Sequence, residues 1–219
     1  DYPNRMRVPV EIVRRWAGSA NLLWRVDAAG QEVVVKMYLD AGQVRSRREG
    51  DGQLLFAPLG LAPQPLWLDR LPETLPRSVL VYRWVEGEPF DPADVGQWLS
   101  LAQAVAQVHA APVGGMERFS PHPVNLSYFW SVLGPSLPPL RGWLLNHRLP
   151  RLAELVERLH GCGQELVTAS LPLWGEPPVP VHGDLRPENV LNSFGAPVLL
   201  DWEQFGLGDA ALEAARFLH

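Results

Sequence analysis

The segment Val181-His182-Gly183-Asp184-Leu185-Arg186-Pro187-Glu188-Asn189-Val190-Leu191 constrains this 219-residue chain more than any other. Short apolar, β-branched runs bracket a polar stretch that carries a carboxylate and, five positions later, an amide. On a loop after a strand, that spacing can aim Asp184 and Asn189 into one cleft. A second acid, Asp201, follows the apolar run Val198-Leu199-Leu200. A β-hairpin across this stretch would return the Asp201 carboxylate beside Asn189.

Upstream, the first third reads as β-rich. Leu22 to Val26 and Glu32 to Tyr38 are strand-like runs separated by Asp27-Ala28-Ala29-Gly30, a good hairpin turn. An Arg-rich segment follows, with Val44, Leu54 and Leu55 as its apolar positions. It reads as a helix despite Gly50 and Gly52, each of which costs about 1 kcal/mol relative to Ala. Ser78 to Trp84 is a further strand, and Glu86-Gly87-Glu88-Pro89 turns the chain. Beyond it the pattern is helical. Asp91-Pro92 opens a helix with Val95, Trp98, Leu99, Leu101, Ala102, Val105 and Val108 on its buried face. A Pro- and aromatic-rich connection runs from Pro112 to about Pro139. Arg151 to Ala169 is amphipathic through Leu152, Leu155, Val156, Leu159, Leu166 and Val167. The Pro-rich stretch Leu171 to Pro180 then leads into a strand at Val179 to His182. The expected fold class is α+β, with a β-rich lobe over residues 1–86 and an α-rich lobe over 87–219. Ala210 to Leu218 is helical without a cap, so the chain is expected to continue past His219.

Composition narrows the function. A net charge of −5 disfavours a nucleic-acid partner, which calls for a basic face. The compact basic run Arg45, Arg47, Arg48 reads as a solvated helix face. No stretch approaches the roughly 20 apolar residues needed to span a bilayer. Cys162 is the single cysteine, which excludes an intrachain disulfide and suits a reducing, cytoplasmic setting. The histidines show no metal-ligand spacing with it.

The motif fits phosphoryl transfer, which needs a carboxylate beside an attacking hydroxyl and oxygen ligands for Mg²⁺ near the phosphates. Kinase catalytic loops use the same Asp–Asn spacing. His-Gly-Asp-Leu-Arg-Pro-Glu-Asn-Val-Leu followed by Leu-Asp-Trp-Glu resembles the aminoglycoside phosphotransferase and choline kinase superfamily. Ala17-Gly18-Ser19-Ala20-Asn21 is similar to that family's nucleotide loop, and Val33-Val34-Val35-Lys36 to its third strand. Leu80-Val81-Tyr82-Arg83-Trp84-Val85-Glu86-Gly87 resembles the hinge that meets the adenine, and Leu101 to His109 the helix ending in Leu-Ala-x-Leu-His.

The resemblance implies a two-lobed protein-kinase-like fold with ATP, or alternatively GTP, as phosphoryl donor and Mg²⁺ as cofactor. The partner would be a small-molecule hydroxyl acceptor, with no nucleic acid and no membrane; oligomeric state is left open. Asp184 would orient or deprotonate the hydroxyl, and Asn189 and Asp201 would hold the metal. Lys36 would position the phosphates, with Glu49 fixing its ammonium. Gly18, Ser19 and Asn21 would form the phosphate turn. Val34, Leu80 and Leu191 would sandwich the adenine beside the Arg83–Val85 hinge. Arg186 has two readings, charge neutralisation at the γ-phosphate or a surface salt bridge. His182 is expected to brace the loop, and Glu203 either supports the metal indirectly or starts a helix. Trp130 and Trp143 fall where an acceptor would bind, though aromatic core is the alternative. Two other readings stand beside this one, a non-catalytic nucleotide-binding scaffold and a protein kinase. Asp-Trp-Glu in place of Asp-Phe-Gly weakens the second. The family pattern also has Gly-Asp-Pro and a later Asp, where this chain has Gly208-Asp209-Ala210 and Glu213.

Overall fold

The computed structural model describes residues 9–18, 20–40, 44–70, 72, 77–112, 126–170 and 178–217. Its N-terminal region is a five-stranded antiparallel sheet in the order β1-β2-β3-β5-β4. The strands are β1 (Val10–Ala17), β2 (Asn21–Ala28), β3 (Gln31–Tyr38), β4 (Pro65–Asp69) and β5 (Val79–Arg83). The β2–β3 hairpin closes as expected, through Ala29 and Gly30 at φ 54° and 83°. The Asp27 carboxylate accepts the Gly30 N–H at 2.7 Å and holds the turn. β4, which carries no alternating signal, was not anticipated.

Helix α1 (Val44–Phe56) forms as expected, but its apolar positions are not the buried ones. Val44, Leu54 and Leu55 point to solvent, whereas Ser46, Glu49, Gly50, Gly52, Gln53 and Phe56 are buried. The two glycines that argue against a helix are what let it pack. A β-carbon at Gly52 would lie 2.9 Å from the Trp202 ring, and one at Gly50 2.9 Å from the Leu68 side chain. The helix turns a small and polar face inward because its partners are a large aromatic ring and a buried lysine.

The C-terminal region is mainly helical, comprising α2 (Val95–His109), α3 (Leu126–Leu133), α4 (Leu137–Asn146), α5 (Pro150–Ser170) and α6 (Ala210–Phe217). α3 falls within the stretch read from sequence as a Pro- and aromatic-rich connection, and α4 begins at the end of it. Pro138 and Pro139 lie in the first turn of α4, where a missing N–H costs nothing. α2 starts at an Asp94 cap that accepts the Gly96 and Gln97 N–H groups at 2.7 and 3.3 Å. Only Leu101, Ala104 and Val108 of α2 are fully buried, with Trp98 and Val105 packed beside them; Val95, Leu99 and Ala102 are exposed. α5 likewise buries Ala153, Val156 and Val167 but exposes Leu152, Leu155, Leu159 and Leu166. Trp130 of α3 stacks on His160 and donates its indole N–H to Gln164 at 2.9 Å, which ties α3 to α5. Trp143 is half exposed.

Two short sheets carry the loop of interest. β7 (Val179–Val181) pairs with β10 (Gly206–Gly208), and β8 (Val190–Ser193) forms the expected hairpin with β9 (Ala196–Leu199). β6 (Glu88–Pro89) joins β8, so the turn at Glu86–Pro89 is stitched to the C-terminal hairpin. Trp202, fully buried, stacks on Phe56 at 4.8 Å and meets Phe205 edge-on. This aromatic core packs α1 against the segment after Asp201, so the helix that carries Glu49 is fixed next to the loop that carries Asp201.

Candidate active site

Lys36 is placed by the strand period. In β3, Val34, Lys36 and Tyr38 share one face, opposite Tyr82 and Leu80 of β5. Lys36 is 2% exposed, and its ammonium makes two 2.6 Å ion pairs, with Glu49 of α1 and with Asp201, and lies 3.6 Å from Glu203. The Tyr38 hydroxyl donates to the same Glu49 oxygen at 2.6 Å. Burial alone would push the lysine down, but the Glu49 and Asp201 carboxylates outweigh it and hold the ammonium above the usual lysine value. Burial pushes the Glu49 carboxyl up, opposed by Lys36. Burial and the neighbouring Glu49 both raise the Tyr38 phenol, so it stays a donor.

Glu203 links three elements. It pairs with Arg45 of α1 and accepts the Asn21 amide N–H at 3.0 Å. Asn21, expected in the phosphate turn, is thus tied to the loop after Asp201. Arg45, expected on a solvated face, is drawn inward by this acid. Gly18 closes the β1–β2 turn by donating its N–H to Asn21 O at 2.9 Å; Ser19 lies outside the described residues.

The catalytic-loop candidates are built on the β7–β8 connection. The Asn189 amide donates to the Asp184 carbonyl at 2.8 Å and to its Oδ2 at 3.3 Å, which leaves Oδ1 of Asn189 as the oxygen for a cation. The Arg186 guanidinium, 55% exposed, holds the same Asp184 Oδ2 at 2.7 Å. The backbone N–H of Leu200 donates to Asn189 O at 2.8 Å, so the hairpin brings Asp201 next to Asn189. His182 is buried between them: one ring nitrogen donates to Leu200 O at 2.8 Å and the other accepts the Asp184 N–H at 3.3 Å. Burial pushes this imidazole down, which suits a neutral brace.

Glu213, which the sequence reading set near the family's later acid without giving it a role, has one here. It is 5% exposed, accepts the Gly183 N–H at 2.7 Å and bonds His109 at 2.8 Å. A buried acid on α6 therefore ties the loop backbone, one residue before Asp184, to the end of α2. Gly183 has φ +84°, and a β-carbon there would fall 2.2 Å from the Gln204 carbonyl oxygen. Gly183→Ala is expected to cost about 2–4 kcal/mol, from strain plus the clash. Gly195→Ala, at φ +88° with open space around it, should cost only about 1 kcal/mol. Equal shifts in the two denaturation midpoints would remove the steric argument.

The remaining expected residues line the sheet and its exit. Leu80 is fully buried and Val34 5% exposed, both in one cluster with Tyr38 and Tyr82. Leu191 is half-buried on β8, opposite Val198. Arg83 donates its N–H to Gln64 O and Trp84 to Glu32 O, which aligns the segment through Val85 at the sheet's end.

Carboxylate oxygens of Glu49, Asp201 and Glu203 lie within 4.8 Å of one another, the geometry of a cation site. Lys36 already stands among them as the cation. The Asp201 side chain is nonetheless 30% exposed, and with Asn189 it offers the hard oxygens that suit Mg²⁺. The three acids exceed Lys36 and Arg45 by one charge, so these residues fit a divalent cation.

A model of the phosphotransferase enzyme family matches residues 11–219. The chain belongs to that family. Solved structures show the same fold. An aminoglycoside phosphotransferase APH(4)-Ia, a thermostable mutant in ternary complex with ADP and hygromycin B, superposes with a TM-score of 0.66 at 16% identity. The match covers 94% of this chain and 71% of that one. A choline/ethanolamine kinase family protein from Mesorhizobium loti gives 0.64 at 21% identity, covering 95% and 63%. A further aminoglycoside phosphotransferase-like structure, from Ralstonia eutropha, gives 0.64 at 14%, covering 96% and 64%. Among curated proteins, none matches. The kinase-like α+β fold expected from the motifs is therefore shown, and this family member spans about two thirds of the length of those structures.

Proposed function

We propose that the protein transfers the γ-phosphoryl group of ATP, with Mg²⁺, to a hydroxyl group of a small molecule. The observation that carries this is the convergence of Glu49 and Asp201 on Lys36 at 2.6 Å, together with a loop that holds Asp184 against Asn189. Bound Mg²⁺ would neutralise charge on the phosphates, and Asp201 with Oδ1 of Asn189 would hold it. Lys36, fixed by Glu49, would position the α- and β-phosphates. Asp184 would orient the acceptor hydroxyl and take its proton on the carboxylate. Arg186, exposed beyond its pair with Asp184, can swing to the transferred phosphoryl group. Catalysis of this kind rests on positioning and charge neutralisation. Among the described residues no helix is long and apolar enough to cross a membrane.

Titration calorimetry is expected to show ATP binding that strengthens with Mg²⁺, in the micromolar to millimolar range usual for substrates. An ATP-consumption screen over aminoglycosides, choline, ethanolamine, sugars and amino-acid alcohols would then name the acceptor. Folded protein that binds no ATP with or without Mg²⁺ would overturn the assignment.

A further inference from the structure

Both oxygens of the buried Glu203 carboxylate are taken by other elements. Oε1 pairs with the Arg45 guanidinium from the first turn of α1, and Oε2 accepts the Asn21 amide N–H from the start of β2 at 3.0 Å. The Lys36 ammonium stands 3.6 Å from the same Oε2. Asn21 is itself buried, and its carbonyl closes the β1–β2 turn by accepting the Gly18 N–H at 2.9 Å. One acid therefore ties together the first turn of α1, the turn expected to meet the phosphates and the loop after Asp201.

Asp201, just before the short 3₁₀ turn Trp202–Gln204, is treated differently by the fold. Its side chain is 30% exposed, against 9% for Glu203, although the two carboxylates and Glu49 approach within 4.8 Å of one another. Trp202 between them is fully buried against Phe56 and Gly52, so rotating the turn would open the core. The direction of Glu203 is thus left to its own side chain and to the partners it meets. Arg45 meets it through Nη2 alone; Nε of Arg45 is buried and makes no hydrogen bond among the described residues. Without Arg45 the three acids would exceed Lys36 by two charges, with one carboxylate uncovered 3.6 Å from that lysine.

We propose that Arg45 is a positioning residue of the nucleotide site: it holds Glu203 as a strut to the phosphate turn and keeps that acid from becoming a further oxygen ligand of the cation. Asp201 then remains with Asn189 as the metal side, and Lys36 keeps its charge for the phosphates. The proposal rests on the Mg·ATP reading above. An unclaimed carboxylate this close to Asp201 is a competent ligand for Mg²⁺, so the arginine has something to prevent. The first member of the basic run Arg45, Arg47, Arg48 thereby belongs to the electrostatics of the site rather than to a solvated face.

The test is calorimetry of ATP with and without Mg²⁺ on wild type, Arg45→Ala, Arg45→Lys and the double variant Arg45→Ala/Glu203→Gln. Arg45→Ala uncovers a negative charge beside Lys36, so metal-free ATP is expected to bind about 5- to 30-fold more weakly. The gain in affinity on adding Mg²⁺ should grow by a similar factor, because Glu203 can then reach the cation. Arg45→Lys supplies the charge and one N–H contact, and is expected to restore both quantities. A merely structural loss would weaken ATP equally in both conditions; that result, or no recovery in Arg45→Lys, would overturn the proposal. The double variant removes one charge of each sign, so it keeps the wild-type balance and strands no buried acid. Its gain on adding Mg²⁺ should stay within about twofold of wild type, whereas a fall of about tenfold would mean that Glu203 ligates the cation and that Arg45 does not restrain it. Should Arg45→Ala not fold, the double variant decides by itself. Wild-type protein that binds no ATP in either condition would overturn the phosphotransfer reading, and the role of Arg45 with it.

Discussion

Lys36→Met is expected to destabilise the protein by about 3–5 kcal/mol near pH 8, because it leaves buried carboxylates without their cation. Glu49 is fully buried, and one of its oxygens keeps only the Tyr38 hydroxyl once the ammonium is gone. Its carboxyl, already pushed up by burial, would rise further without the opposing lysine. The folded variant then binds a proton that the unfolded chain has released above its ordinary value of 4.5. With more protons bound folded than unfolded, stability falls as pH rises. The deficit should therefore be smallest near pH 5 and grow toward neutral and alkaline pH. Denaturant melts of wild type and variant across pH 5–9 check this. Lys36→Met combined with Glu49→Leu should recover much of the loss by removing the stranded charge. A single variant with a loss under about 1 kcal/mol and no pH trend would mean that the buried lysine is not what neutralises this cluster.

Asp184→Asn should separate binding from chemistry. The carboxylate is assigned to the acceptor hydroxyl, so its loss is expected to lower kcat by about 10²- to 10⁴-fold. The asparagine can still accept from Asn189 and Arg186, which now hold Asp184 Oδ2 at 3.3 and 2.7 Å. Mg·ATP affinity should therefore change by less than about threefold, roughly 0.7 kcal/mol. Asp201→Asn is the contrasting variant. It removes a charge from the metal side and should abolish the Mg²⁺-dependent part of nucleotide binding. Calorimetry and single-turnover kinetics on the two proteins read both effects. If Asp184→Asn weakened Mg·ATP as much as Asp201→Asn, the division of roles would be wrong.

Several features could be read along the chain because their causes are local. The β2–β3 hairpin follows from β-branched runs around an Asp-Ala-Ala-Gly turn. The Asp184–Asn189 spacing lies on one short loop, and Asp201 reaches Asn189 through a hairpin of neighbouring residues. A lysine in an apolar strand announces a partner, and α1 was the nearest element able to supply an acid. The resemblance to a phosphotransferase family rests on these same short stretches, and they suffice to name the fold.

What only the tertiary structure decided involves groups far apart in sequence or faces with unusual partners. Asn21 meets Glu203 across 182 positions, and Arg45 meets the same acid across 158. Glu213 closes on Gly183 and His109, the latter 104 positions away. No periodicity reports such pairings, because a hydrophobic pattern marks which face turns inward but not what it will meet. The inward face of α1 could not be read from its apolar positions for that reason. Apolar patterning assumes an apolar partner, whereas this helix meets a buried ammonium, which demands Glu49, and the Trp202 ring, which admits only glycine at position 52. Trp16 and Trp84 were two of nine tryptophans until strand register put one opposite Leu23 and sheet order brought the other beside it. The chain's local chemistry thus determined the loop, the hairpins and the charged residues that need partners. Long-range packing decided the partners, because burial makes each charge take the nearest opposite one that the fold delivers.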